Sequence, residues 1–284
     1  MLTVTLNGQI YDKAKLNSMT KYPSILTYHK TAPRGGLLPE LTEGENRADH
    51  VLFVTEKVDG ANSRIVFFTN EDGRIKDFFI GSRENMLYVS GDRCFNEDGH
   101  IVENILTVAE EIITHAALDD VQLPPESIVT FYFEHFGGHN NGWNQYTAGD
   151  NYGARLFDIK TITYEDANRF LQMNNDQLAG ARENDQIGTW YSVGHMLAIC
   201  GVLGIRHVPY VDTMNGEDMP ETLRDTYEWL KFFAESHVTL DDKALGHAEG
   251  VVIRSENRTY IKKIRFEDYQ KTERKGMMDL NEAV

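Results

Sequence analysis

The chain is poor in cysteine. Cys94 and Cys200 are its only two in 284 residues, far apart and with no CxxC or Cys/His ligand spacing, which argues against a disulfide framework or a zinc site and points to a reducing compartment. It also lacks long apolar runs. Nowhere do eighteen apolar residues follow one another, and the amino terminus MLTVTLNGQI has no basic region leading into an apolar stretch. Neither a membrane span nor a secretory leader is expected, and the reading is a cytoplasmic protein that engages no membrane. Its 7 prolines and 23 glycines gather in no linker, and no repeat or low-complexity tract appears. The sequence therefore reads as a single domain, 1–284. Basic residues are scarce as well. With 28 Lys and Arg against 44 Asp and Glu the net charge is -16, which speaks against a broad phosphate-binding surface.

That scarcity is uneven. Between Val251 and Lys275 lie Arg254, Arg258, Lys262, Lys263, Arg265, Lys271, Arg274 and Lys275, opposed only by Glu256, Glu267, Asp268 and Glu273. Any contact with a polyanion is thus focal.

An apolar content of 41% supplies a sizeable core. Runs rich in β-branched and aromatic residues predict strands at VLFVTEKV, SRIVFFT, KDFFIGS, SIVTFYFEHF, ARLFDIKTIT, EGVVIRS and TYIKKIRF. Helical periodicity appears in IVENILTVAEEIITHAAL, and again from Pro220, where Leu223, Tyr227, Leu230 and Phe233 share a face. Strands dominate and helices fill the intervals, an α+β arrangement. HFGGHNNGWNQYTAGDNYGAR reads as a long loop between two strands, of the kind kept for function or left mobile; a mobile surface loop is the reading taken, and contact with nucleic acid is the alternative.

Chemistry concentrates at TEKVDGANSRI, residues 55 to 65, where an apolar strand runs into charge. Read alone, Lys-x-Asp-Gly is a strand end with a glycine turn and a solvated lysine. The sharper reading is a nucleophilic lysine, which works as the neutral amine and is favoured in that form by burial and nearby cations.

Six ordered elements carry a resemblance. EKVDGAN resembles motif I of the covalent nucleotidyltransferases, the superfamily of ATP-dependent DNA ligases, RNA ligases and mRNA capping enzymes. GSRE (81 to 84), FEHFGG (133 to 138) and LFDI (156 to 159) resemble the next three motifs. AEGVVIRS (248 to 255) resembles motif IV, and KKIR (262 to 265) stands where motif V supplies a pair of cations. Asn62, five residues beyond Lys57, is the residue type of phage-type RNA ligases that seal nicked duplex RNA, where DNA ligases and capping enzymes carry arginine. KYPSILTYHK (21 to 30) resembles the stretch those ligases place ahead of motif I. The likeness runs from Lys21 to Phe266, with the motifs between 55 and 266.

The resemblance implies an antiparallel, helix-flanked adenylyltransferase domain and an ATP-dependent RNA ligase. It would join 3'-hydroxyl and 5'-phosphate RNA ends, as in RNA repair, through a lysyl-AMP intermediate, with ATP and Mg2+ (or Mn2+) as cofactors. It further implies Lys57 as nucleophile and Lys263 and Arg265 on the α-phosphate. Nucleotide contacts fall to Thr55, Glu56, Asn62, Arg83, Glu134 and Phe157, with Lys262 the alternative if the motif V register slips. Metal contacts fall to Asp59, Glu134 and Glu249. Two departures stand out: Asp59 replaces the histidine of the nearest phage enzymes, and Lys263-Ile264-Arg265 replaces Lys-x-Lys. An arginine keeps the charge but is not a compact point cation. Strand alternation puts Lys263 and Arg265 on one face and Lys262 on the other. Only eighteen residues follow Phe266, so neither an OB-fold nor a helical accessory domain is expected, which leaves room for an accessory RNA-binding protein. The alternatives are a minimal DNA ligase, a capping-type guanylyltransferase, or a non-catalytic RNA-end-binding module.

Overall fold

All seven runs of β-branched and aromatic residues become strands: Val51–Lys57, Ala61–Thr69, Ile75–Ser82, Ser127–Gly137, Tyr152–Thr163, Gly250–Ser255 and Ile261–Arg265. The structure, a computed structural model, describes residues 3–33, 35–44, 46–93, 99–117, 121–140 and 142–276. Cys94, Leu118 and Asn141, on which sequence expectations fell, lie outside the described residues. The fold is α+β with antiparallel sheets. It divides into two units, each assembled from separate stretches: Met1–Ser24, Ala61–His135 and Tyr152–His207 in the first, and Ile25–Gly60, Phe136–Asn151 and Val208–Val284 in the second.

The first unit is built on a seven-stranded sheet in the order Thr189–Trp190, Tyr152–Thr163, Ser127–Gly137, Ala61–Thr69, Ile75–Ser82, Met86–Val89, Asp92–Arg93. Alternation along Ala61–Thr69 sends Val66 and Phe68 to one face, where they join Phe79 and Ile128 in a core with Leu16, Met19, Phe170 and Leu178. Those partners come from the helices Lys13–Met19, Tyr164–Leu171 and Asn175–Glu183. Ile65 and Phe67 point the other way and are fully buried, on the side taken by the helix Gly99–Ala117 with its buried Ile101, Ile105 and Ile112.

The second unit carries a four-stranded antiparallel sheet in the order Tyr210–Asn215, Val51–Lys57, Gly250–Ser255, Ile261–Arg265. Leu52, Val54, Val251, Ile253 and Ile264 form its apolar face and pack with Tyr28, Leu230 and Tyr269. The helix expected to open at Pro220 begins instead at Leu223. Thr222 takes the cap, its hydroxyl accepting from the Asp225 N–H at 3.1 Å, and a capped first turn outweighs proline's preset φ. Phe233 falls past its end, in the short turn Lys231–Phe233.

Described residues of the glycine- and asparagine-rich segment after Gly137 are hydrogen-bonded to the chain downstream. The segment contains the short helix Trp143–Tyr146, whose carbonyls accept from downstream amides: Leu245 to Asn144 at 2.9 Å, Gly246 to Gln145 at 2.9 Å and Leu240 to Tyr146 at 2.7 Å. Asp241 closes it, accepting from the Thr147 hydroxyl at 2.6 Å and the Ala148 N–H at 2.8 Å. Composition signals turns but cannot show which distant amides will fill them. Among the described residues no helix is long and apolar enough to cross a membrane.

Candidate active site

In the second unit, register brings the predicted cations onto one face. Gly250 pairs with Lys57 on one side and with Arg265 on the other, and two residues along, Val252 pairs with Thr55 and with Lys263. Lys57, Thr55, Lys263 and Arg265 therefore share a face of the sheet. Gly250 is required by close approach: a Cβ there would collide with the Ile264 carbonyl oxygen, so the Glu-Gly pair of AEGVVIRS is a packing constraint as well as a motif.

Glu56 and Lys262 do not share this face, which for Lys262 is the placement that strand alternation gives. They project from the opposite face, in the rows Glu56–Val251–Ile264 and Val54–Ile253–Lys262. The buried Glu56 carboxylate accepts from the Ser236 hydroxyl at 2.6 Å and the His237 N–H at 2.8 Å, so its capacity serves local packing. The Lys262 amine reaches the Glu43 carbonyl at 3.3 Å and lies 5.5 Å from the Tyr260 ring centroid.

Glu249, just before the strand, ties the cationic face together. Its Oε2 accepts from the Lys57 amine, and its Oε1 lies 3.6 Å from Arg265 Nη1. Arg265 also donates from Nε and Nη2 to the two oxygens of Asp268, at 2.9 and 2.8 Å. Those hydrogen bonds hold its pKa above the ordinary arginine value. Burial, reinforced by Arg265 and Lys57, pushes Lys263 below the usual lysine range. Lys263 is edged by Leu26 and Tyr28 of KYPSILTYHK, through Lys263 N–H to the Leu26 carbonyl and Tyr28 N–H to the Lys263 carbonyl, both at 3.0 Å.

Asp59 lies against the glycine- and asparagine-rich segment. Its N–H donates to the Tyr146 hydroxyl at 2.6 Å. Gly142, at φ +62, leaves its carboxylate room: a Cβ there would lie 2.5 Å from Asp59 Oδ2. Burial and the nearby Glu249 carboxylate raise the Asp59 pKa. Among the described residues no cluster of three or more His, Cys, Asp or Glu stands ready to ligate a metal directly. The pair Asp59 and Glu249 suits a different arrangement, a hydrated divalent cation held through one or two carboxylates and substrate phosphates.

The remaining predicted residues belong to the first unit. Asn62 and Glu134 are cross-strand partners, one step along the same sheet face from the pair Arg64 and Tyr132. Phe157 is half-buried, edge-on to Tyr22 at 4.9 Å and stacked on Tyr132 at 6.3 Å, and Tyr22 donates to Asp158 at 2.9 Å. Arg83 is largely exposed, 3.8 Å from Glu84.

Arg64, which follows the lysine motif, is fully buried. It donates to the Asn17 side chain at 2.5 Å, to Thr20 Oγ1 at 3.3 Å and to the Ser82 carbonyl, and its guanidinium lies 5.9 Å from the Phe79 ring centroid. Burial lowers its pKa to about 10. It braces the strand that carries Asn62. Sequence reasoning missed Asp268, Tyr146 and Gly142. Asp268 had a signal, an acid three residues after Arg265 in a helix's first turn, whereas nothing local marks Tyr146 or Gly142.

The RNA ligase family model matches residues 50–267. Among solved structures the chain is similar to a Naegleria gruberi RNA ligase mutant with ATP and Mn, at 14% identity and TM-score 0.47, covering 88% of this chain and 63% of that one. Another mutant of the same ligase with ATP and Mn gives TM-score 0.48 at 14% identity, covering 95% and 76%, and one with AMP and Mn gives 0.48 at 14%, covering 95% and 75%. The chain thus spans less than two thirds of the length of the first of these ligases. No curated protein matches its sequence. Matched by the family model over well more than half its length, from just ahead of the lysine strand to just past Arg265, the chain belongs to the RNA ligase family.

Proposed function

We propose that this protein is an ATP-dependent RNA ligase of the cytoplasm that joins RNA 3'-hydroxyl and 5'-phosphate ends. The observation that carries the reading is Lys57 at a strand end, sharing one sheet face with Lys263 and Arg265 and hydrogen-bonded to Glu249. In the first step the Lys57 amine attacks the α-phosphorus of ATP, pyrophosphate leaves, and a lysyl-AMP bond forms. In the second an RNA 5'-phosphate oxygen takes the AMP and frees Lys57. In the third an RNA 3'-hydroxyl attacks that 5'-phosphorus and AMP departs.

Each step builds charge on phosphoryl oxygens, and catalysis rests on cations fixed in advance. Lys263 and Arg265 supply them at the α-phosphate, and Glu249 accepts a hydrogen bond from the Lys57 amine. Thr55, which shares the Lys57 face of the sheet, is assigned a contact with the adenine edge. Glu134 is assigned to the ribose, Arg83 to the ribose or the RNA end, Phe157 to adenine stacking and Asn62 to orienting the phosphate or the 3'-terminal nucleotide. A bound Mg2+ or Mn2+ offsets charge on the triphosphate, and Asp59 and Glu249 are the carboxylates suited to its water shell, with Glu134 assigned to it by resemblance.

The test is strand sealing. A duplex RNA with a 3'-hydroxyl, 5'-phosphate nick is incubated with protein, ATP and Mg2+, beside the same nick in DNA. Sealing of the RNA nick supports the reading. Sealing of DNA alone moves it to DNA ligases, and preferential labelling by GTP moves it to capping enzymes.

A further inference from the structure

Where the sequence departs from Lys-x-Lys, the structure contains a compensation. Arg265 stands where a lysine was expected, and a guanidinium differs from an ammonium in carrying five donors spread over a plane on a flexible stem. In this chain Nε and Nη2 are both committed to one carboxylate, Asp268, at 2.9 and 2.8 Å. That bidentate fork fixes the plane of the group and leaves Nη1 as the edge turned toward Glu249, at 3.6 Å. Asp268 is itself fixed, three residues on in the first turn of the helix Phe266–Arg274, whose leading amide, Phe266 N–H, donates to the Glu249 carbonyl at 3.1 Å. The strand end, the helix start and Glu249 therefore form one braced corner.

We propose that Asp268 is a positioning residue for the nucleotidyl transfer. By holding two of arginine's donor nitrogens it makes Arg265 present a single directed cation, as a lysine would, at the α-phosphate and Glu249. This rests on the reading of the protein as an RNA ligase. A purely structural role is the rival, because an acid in a helix's first turn steadies that turn whatever precedes it. The two differ in one respect: the positioning role depends on residue 265 being arginine, and the helix role does not.

The experiment is a double-mutant cycle in single-turnover lysyl-AMP formation at saturating ATP, using wild type, Asp268→Ala, Arg265→Lys and the double variant. Positioning predicts a loss of roughly tenfold or more for Asp268→Ala in the wild-type background. In the Arg265→Lys background, where a compact ammonium needs no fork, it predicts little further loss, whatever rate Arg265→Lys itself sets. An equal loss in both backgrounds, or none in the first, overturns the proposal. If Arg265→Lys forms no adduct, Asp268→Glu is compared with Asp268→Asn in the wild-type chain. Glutamate restores both a charged fork and an acid in the first turn, so urea unfolding of the two variants is compared as well: an asparagine variant as stable as the glutamate variant but slower in adduct formation supports the proposal, and equal rates, or rates that follow stability, overturn it. Wild type serves as the control for the wider reading: a wild-type chain that forms no adduct contradicts the ligase assignment, while an adduct that is indifferent to residue 268 contradicts only this inference.

Discussion

Lys57 and Arg265 are held in register with the same residue, Gly250, from its two sides, and their side chains converge on one carboxylate, that of Glu249. Two inter-strand spacings put the two backbones about 10 Å apart, so the long side chains meet over the glycine. Glu249 is thus the counter-charge shared by the proposed nucleophile and one of its activating cations. Glu249→Ala should lower the rate of lysyl-AMP formation by about 10²-fold or more, measured by label taken up from α-labelled ATP. An unchanged rate would reduce Glu249 to an ion pair that supports the fold alone.

Gly142→Ala should disturb Asp59. The added Cβ would meet the Asp59 carboxylate, and the φ of +62 itself disfavours alanine by roughly 1–2 kcal/mol. The expected outcome is that loss of stability in denaturant unfolding, together with a higher Mg2+ requirement for adenylylation. A variant as stable as wild type with the same Mg2+ dependence would mean that the loop gives way and Asp59 is not held by it.

The GSRE stretch contains a packing requirement independent of Arg83. A Cβ on Gly81 would lie 2.8 Å from the Arg64 guanidinium carbon, and Arg64 is fixed by Asn17, Thr20 and Ser82. Gly81→Ala should destabilise the protein by about 1–3 kcal/mol, the usual penalty for overpacking a filled interior. Urea midpoints of the two proteins decide it, and equal midpoints would show that Arg64 has somewhere else to go.

His135 gives stability a pH dependence. It is fully buried against the Tyr152 ring, and burial, with His100 adding to it, lowers its pKa from the ordinary 6.5 to about 4. As pH falls the unfolded chain therefore takes up this proton first. The contribution is complete above pH 6.5 and drains away between 6.5 and 4, about 3 kcal/mol over the full interval. His135→Phe should flatten that part of the unfolding free energy against pH, and an unchanged slope would place its origin elsewhere.

Much of this was legible in the sequence, because strands made of β-branched and aromatic runs announce themselves and alternation fixes their faces. The rule that set Lys263 and Arg265 apart from Lys262 holds in the structure, and applied to Glu56 it would have turned that residue away from Lys57 as well. What stayed hidden depends on contacts between residues far apart in the chain. Tyr146 reaches the Asp59 amide across 87 positions, and Asn17 reaches Arg64 across 47. No local pattern encodes such pairs. The helix start at Leu223 was a local miss, where Thr222 was the stronger signal than Pro220.

The central claim is that Lys57 becomes covalently bonded to AMP. Intact mass of the protein after incubation with ATP and Mg2+ tests it most directly, with Lys57→Ala alongside. The account predicts one AMP on the wild-type chain, mapped to the peptide containing Lys57, and none on the variant. A wild-type chain that stays unmodified, or a Lys57→Ala chain that still gains AMP, would contradict it.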